Sequence, residues 1–180
     1  MPAQKQLNAE NKTTPLREPR RPIILDHLQS KNDEDLLNIF KNCMRALTKG
    51  PDEKASLVID GLEREWKRRL SRSTYSIFRP DTGMLAELGY HVGNNGERLS
   101  VRRQILKHVV ERELPVVGSV AYTSEWGRPK TRQRVEKLTN FFIGMIESAR
   151  GNRDMTTAVA HWEADLEWVI EQYGCLLSVG

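Results

Sequence analysis

The sequence predicts a mainly α protein, an irregular multi-helix bundle behind a disordered N-terminal tail. Three observations carry that expectation. Apolar residues recur at three- and four-residue intervals in successive segments. Residues that cap, start or stop helices bracket several of those segments. The first 29 residues, by contrast, are polar, contain Pro2, Pro15, Pro19 and Pro22, and offer few apolar positions before Ile23.

In chain order, residues 1–29 read as a flexible basic tail carrying Arg17, Arg20 and Arg21. The next unit, residues 30–73, reads as a helical hairpin. Leu36, Ile39, Phe40, Cys43, Met44 and Leu47 form one apolar stripe behind Asp33, Glu34 and Asp35, acids at the helix end where the dipole favours them. Gly50 and Pro51 then separate it from a second stripe through Leu57, Val58, Leu62, Trp66 and Leu70.

Residues 74–180 read as a helical module, packed with the hairpin as one domain. Pro80 and Asp81 open a short helix through Met84, Leu85 and Leu88, closed by Gly89. Asn95-Gly96 is a turn signal, which leaves room for one very short β ribbon around Tyr90 to Val92. Ser100 is the expected N-cap of a helix carrying Val101, Ile105, Leu106 and Val109, stopped by Pro115. Residues 116–128 are expected to form an irregular buried connection in preference to a strand. Pro129 is placed in the first turn of a helix bearing Val135, Leu138, Phe142, Met145, Ile146 and Ala149 and ended by Gly151. A final helix bears Met155, Ala158, Val159, Trp162, Leu166, Val169 and Tyr173, and these last two helices read as antiparallel partners. No unit of roughly 20 to 50 residues repeats, which argues against a solenoid.

Composition narrows the function classes. No stretch approaches the roughly 20 apolar residues of a membrane span, and no signal-peptide pattern opens the chain, so a cytoplasmic protein is expected. Cys43 and Cys175 are far apart and form no ligand spacing, consistent with a reducing compartment. His27, His91, His108 and His161 are scattered, without a metal-binding or nucleophile motif, so no cofactor, metal or catalytic residue is expected. An enzyme stays open only through distant carboxylates converging in space.

Charge is the informative feature. The net charge is +4, but residues 61–107 hold ten Lys/Arg against five Asp/Glu, whereas residues 138–180 hold two against six. The candidate nucleic-acid-binding residues are Arg98, Arg102, Arg103 and Lys107 around one helix start and Arg128, Lys130, Arg132, Arg134 and Lys137 around another. Helix starts present free N–H groups, and clustered Lys and Arg displace the counterions condensed on phosphates. On a helix, Arg103 shares a face with Lys107, and Lys130 with Arg134 and Lys137. Lys67, Arg68 and Arg69 follow the ordinary preference for positive charge at a helix end. Trp66 near them falls on the apolar stripe and reads as core. Gly89, Gly93 and Gly96 match no phosphate-loop spacing and read as turn residues. On the last helix, His161, Asp165 and Trp168 share a side, where a structural hydrogen bond is the simplest expectation, and Glu163, Glu167 and Glu171 form an acidic ridge that suggests a basic partner surface within the same chain or on another protein.

The stretches Leu88-Gly89-Tyr90-His91-Val92-Gly93, Arg102-Arg103-Gln104-Ile105-Leu106, Leu114-Pro115, Glu125-Trp126-Gly127-Arg128-Pro129 and Trp162-Glu163-Ala164-Asp165-Leu166-Glu167-Trp168 together resemble a C-terminal module of uncharacterised bacterial or phage-related proteins. The resemblance implies a compact unit over about half the chain and brings no activity with it. The functional expectation is a non-enzymatic protein that binds the phosphate backbone of DNA or RNA. The alternative is a helical adaptor that docks a protein partner through the N-terminal hairpin or the acidic last helix, without nucleic acid. Neither reading involves a membrane.

Overall fold

In the computed structural model, described for residues 23–71, 83–115, 117 and 119–178, the chain is helical throughout its regular parts, and no strand occurs among the described residues. A 3-10 helix, Ile23–Ser30, leads into α1 (Asp33–Leu47) and α2 (Glu53–Leu70). A single turn, α3 (Met84–Glu87), precedes α4 (Leu99–Glu111), and the short α5 (Val120–Ser124) precedes α6 (Arg132–Ala149). A 3-10 turn, Arg153–Met155, then opens α7 (Thr156–Tyr173), followed by α8 (Cys175–Ser178).

The hairpin forms as its caps require. The Asn32 side chain accepts from the Asp35 amide at 2.7 Å, and the Asp52 side chain accepts from the Ala55 amide at 2.9 Å, so both helices start with a satisfied donor and an acidic first turn. Their apolar stripes meet, with Phe40 and Trp66 at a ring separation of 5.5 Å. His108 of α4 closes an aromatic trio, 4.6 Å from Phe40 and 6.1 Å from Trp66. Through it the hairpin joins α4, and one buried apolar cluster runs from Leu28 through the hairpin and α4 to Val169 of α7. The second mass of packing is the α6/α7 pair, which Tyr90 joins from the α3–α4 connection with its ring 5.9 Å from Phe142.

Four sequence expectations are corrected. Of the tail expected over residues 1–29, residues 23–29 belong instead to the 3-10 helix Ile23–Ser30, docked on α2 with Leu28 buried. The docking depends on Gly61, where an added Cβ would lie only 2.3 Å from Leu25 Cδ2. Residues 1–22 lie outside the described residues. The ribbon at Tyr90 to Val92 is a loop instead: the Gly96 amide donates to Gly93 O and the Glu97 amide to His91 O, turning the chain too tightly for paired strands. A Cβ on Gly96 would meet Val92 backbone carbon at 2.6 Å, so the close approach needs glycine. Finally, α4 begins at Leu99 with Arg98 as its N-cap, not at Ser100, and α6 begins at Arg132 beyond Pro129, because Lys130 takes a left-handed conformation with φ of 57°. The strain is tolerated where the Lys130 amide donates to Val110 O at 2.8 Å.

The connection before α6 is irregular and partly buried as expected, with α5 as one helical turn inside it; Val116 and Gly118 lie outside the described residues. No helix among the described residues is long and apolar enough to cross a membrane.

Truncating the ring that holds hairpin and α4 together should be costly: Phe40→Ala is expected to lower unfolding free energy by about 3–5 kcal/mol, read from urea denaturation. A loss below about 1 kcal/mol would show that the trio does not join the two parts.

Candidate functional site

Buried cations need fixed partners, and the structure divides the nine candidate basic residues on that principle. Arg102 is 3% exposed and Asp165 0%. Arg102 Nε donates to Asp165 Oδ2 at 2.6 Å, Nη2 reaches Asp165 Oδ1 at 3.4 Å, and Nη1 donates to Glu97 O at 3.0 Å. Tyr90 O–H donates to the same Asp165 Oδ2 at 2.7 Å. Burial, together with the Asp165 charge, raises the Tyr90 phenol far above its ordinary range, which keeps it a donor. Arg102 is therefore framework and touches no outside phosphate.

Arg134, 2% exposed, is framework too. Its guanidinium donates to Trp126 O at 2.9 Å, Val109 O at 2.7 Å, Arg112 O at 3.2 Å and Gly127 O, gathering the end of α4 and the turn before α6 onto one side chain. Desolvation lowers its pKa to about 10, so it stays charged at neutral pH. The shared face expected for Lys130, Arg134 and Lys137 thus does not form. Lys137 Nζ bonds Glu125 and stands over the rings of Tyr122 and Trp126 at 5.5 and 5.9 Å. Arg132 pairs along its helix with Glu136 at 2.7 Å.

Four of the nine remain exposed with no ion pair among the described residues: Arg98, Lys107, Arg128 and Lys130. Arg98, Arg128 and Lys130 lie at the two helix starts, whereas Lys107 stands in the second half of α4. Both α4 and α6 begin without a side-chain cap and without an acidic first turn, unlike α1 and α2. Thr131, the N-cap of α6, turns its hydroxyl away to Arg128 O at 2.7 Å; the Arg134 amide donates to Thr131 O at 3.1 Å, and the Arg132 and Gln133 amides have no acceptor among the described residues. Beside this start lies a cleft of about 820 Å³ lined by Lys67, Ser71, Ser124, Arg128, Gln133 and other residues. Lys67 is 74% exposed and only loosely paired with Glu113 at 3.6 Å.

Arg103 is the ninth. It lies half-buried with its guanidinium carbon 5.6 Å from the Trp168 ring centre, and among the described residues no group takes its N–H donors. Sequence spacing missed this stack, since the two residues are far apart in the chain and only the packing of α4 on α7 brings them together. It also missed Lys67 as a neighbour of the α6 start.

Several other expectations were structural and remain so. His161 Nδ1 accepts from the Gly93 amide at 3.2 Å and holds the α3–α4 loop on α7. Arg69, instead of offering a free cation, bonds Glu65 at 2.6 Å and the Lys31 carbonyl at 2.7 Å. Arg68 also pairs with Glu65, and Trp66 is core. The carboxylates do not converge either: among the described residues no three His, Cys, Asp or Glu side chains gather to hold a metal. Burial pushes the Cys43 thiol up to about 11, which makes it a poor nucleophile at neutral pH.

No family model, no curated protein and no solved structure matches this chain.

Two outcomes follow for the buried charges. Asp165→Ala leaves Arg102 buried without its carboxylate and is expected to cost about 3–5 kcal/mol in denaturant unfolding, whereas a surface control such as Glu163→Ala should change little. His108 is held by burial at about 3, well below its ordinary 6.5, with Nε2–H donating to Glu113 O. Between those values the unfolded chain binds a proton that the folded chain does not. Stability is thus full above about 6.5 and falls as pH drops toward 3. Thermal melting from neutral to mildly acidic pH should show the decline, with a shallower slope in His108→Phe; equal slopes would assign the acid sensitivity elsewhere.

Proposed function

We propose that the chain binds nucleic acid through the phosphate backbone and performs no chemistry on it. The observation that carries this is the start of α6: uncapped, free of acidic residues in its first turn, flanked by exposed and unpaired Arg128 and Lys130, and set beside an open cleft that carries Lys67. Free N–H groups at the positive end of a helix dipole, surrounded by mobile cations, suit a phosphate oxygen. Arg98 at the uncapped start of α4 supplies a further contact of the same kind, and Lys107 in the second half of that helix adds an exposed charge. Contacts to phosphate carry little base preference, so binding is sequence-tolerant and weakens steeply with salt. DNA and RNA are both open to this chemistry.

A specific observation favours a second reading, a protein-docking adaptor. Glu163, Glu167 and Glu171 are exposed along α7 and have no ion-pair partner among the described residues. Like charges one turn apart repel, and a basic partner surface would relieve that repulsion.

The test is a fluorescence-polarisation titration with labelled single- and double-stranded oligonucleotides across about 50 to 200 mM salt. Arg128→Ala combined with Lys130→Gly should weaken binding and reduce the slope of log affinity against log salt by about two, one per lost contact. The glycine suits the left-handed backbone at residue 130, so a loss of affinity would not reflect misfolding. No binding of either nucleic acid at the lowest salt would overturn the proposal and leave the adaptor.

A further inference from the structure

An arginine half removed from water normally spends its donors. Among the described residues, Arg68, Arg69, Arg102, Arg112 and Arg134 are buried or half-buried, and each donates to carboxylates or carbonyls. Arg103 is in the same burial range and donates to none. Its Nε is fully shielded from solvent and unpartnered, whereas its Nη groups, also without a partner among the described residues, are the ones an outside acceptor can reach. What the protein does provide is orientation: the guanidinium lies against Trp168, and Tyr173 stands edge-on to that indole at 6.0 Å, its own hydroxyl fixed by donation to Glu111 at 2.9 Å. A cation–π contact of this kind holds the guanidinium beside the indole while leaving its Nη donors unused. One turn along α4, Lys107 is exposed and unpaired, on the same helix face as Arg103.

We propose that Arg103, held beside Trp168, and Lys107 form a phosphate seat separate from the α6 start. Arg103 supplies the two-pronged contact that planar guanidinium makes with phosphate oxygens, and Lys107 adds a point charge. The surroundings are mixed in sign. Glu167 and Glu171 flank Trp168 on α7, and Glu111 lies behind Tyr173. Capture at this seat therefore depends on the geometry of the fork more than on a long-range field, and its salt dependence is shallower than that of the α6 start. The phosphate has two possible sources, a free nucleotide or the backbone of a nucleic acid strand. Neither source requires the α6 contacts, so this seat stands or falls separately from them.

Trp168 is the half-exposed member of the four tryptophans, Trp66, Trp126 and Trp162 being buried. Its indole signal in a proton–nitrogen NMR spectrum of the full chain, assigned by its disappearance in Trp168→Phe, is a local reporter, as is the Arg103 Nε–H. The probes are uridine monophosphate and a short deoxythymidine oligonucleotide. Shifts of both signals with either probe are expected, and their midpoint should move to at least tenfold higher ligand in Arg103→Ala and several-fold higher in Arg103→Lys, which keeps the charge and loses the fork. Arg128→Ala/Lys130→Gly should leave the mononucleotide titration unchanged. Response to the mononucleotide would assign the seat to free nucleotides, and response to the oligonucleotide alone would assign it to the strand backbone. No shift of either signal with either probe, or titrations unaltered in a folded Arg103→Ala protein, would overturn the proposal.

Discussion

The carboxylate of Asp165 is the constraint on which the arrangement rests. It is wholly removed from water, and such a charge is tolerable only if its lone pairs are filled. Arg102 fills them from α4 and Tyr90 fills them from the α3–α4 connection, so one side chain of α7 fixes the position of two other elements. Helix geometry then does the rest. Asp165 and Trp168 are three residues apart on one side of α7, and Arg102 and Arg103 are neighbours on α4. Locking Asp165 to Arg102 lays Arg103 against Trp168.

The protein uses its positive charge in two different ways. Arg102, Arg134 and Arg69 are long, rigid multi-donor groups, and each gathers acceptors from separate elements where no apolar side chain could satisfy them. Arg134 is the clearest case, since its acceptors are carbonyls of the α4 end and of the turn before α6. Arg98, Arg128 and Lys130, left on the surface, sit at helix starts that lack the caps seen in the hairpin. The framework arginines thus hold in place the helix starts that the surface cations flank.

Much of the fold was legible because helix formation is local. The stripes through Phe40 and Met44, Leu62 and Trp66, Val135 and Phe142, and Trp162 and Val169 are each buried where their spacing placed them. Boundaries were less legible where tertiary contacts set them. Lys130 takes a left-handed conformation and delays α6 to Arg132, and Leu25 and Leu28 dock on Gly61 and draw the end of the tail into a 3-10 helix. The candidate site was legible only as a set of basic residues. Arg102 and Lys107 look alike in a sequence, and one is buried against a carboxylate while the other meets water.

By itself, the sequence determined the helical class, the hairpin, the aromatic stripes and the excess of positive charge in the middle of the chain. All of these follow from residue spacing and from the chemistry of single side chains. Only the tertiary structure decided which cations are spent inside and which are free, because that depends on carboxylates and carbonyls brought from distant segments. Asp165 is 63 residues from Arg102, and Val109 O is 25 residues from Arg134. No local periodicity encodes such pairings, since they arise when packed helices exclude water and each buried donor must find its acceptor.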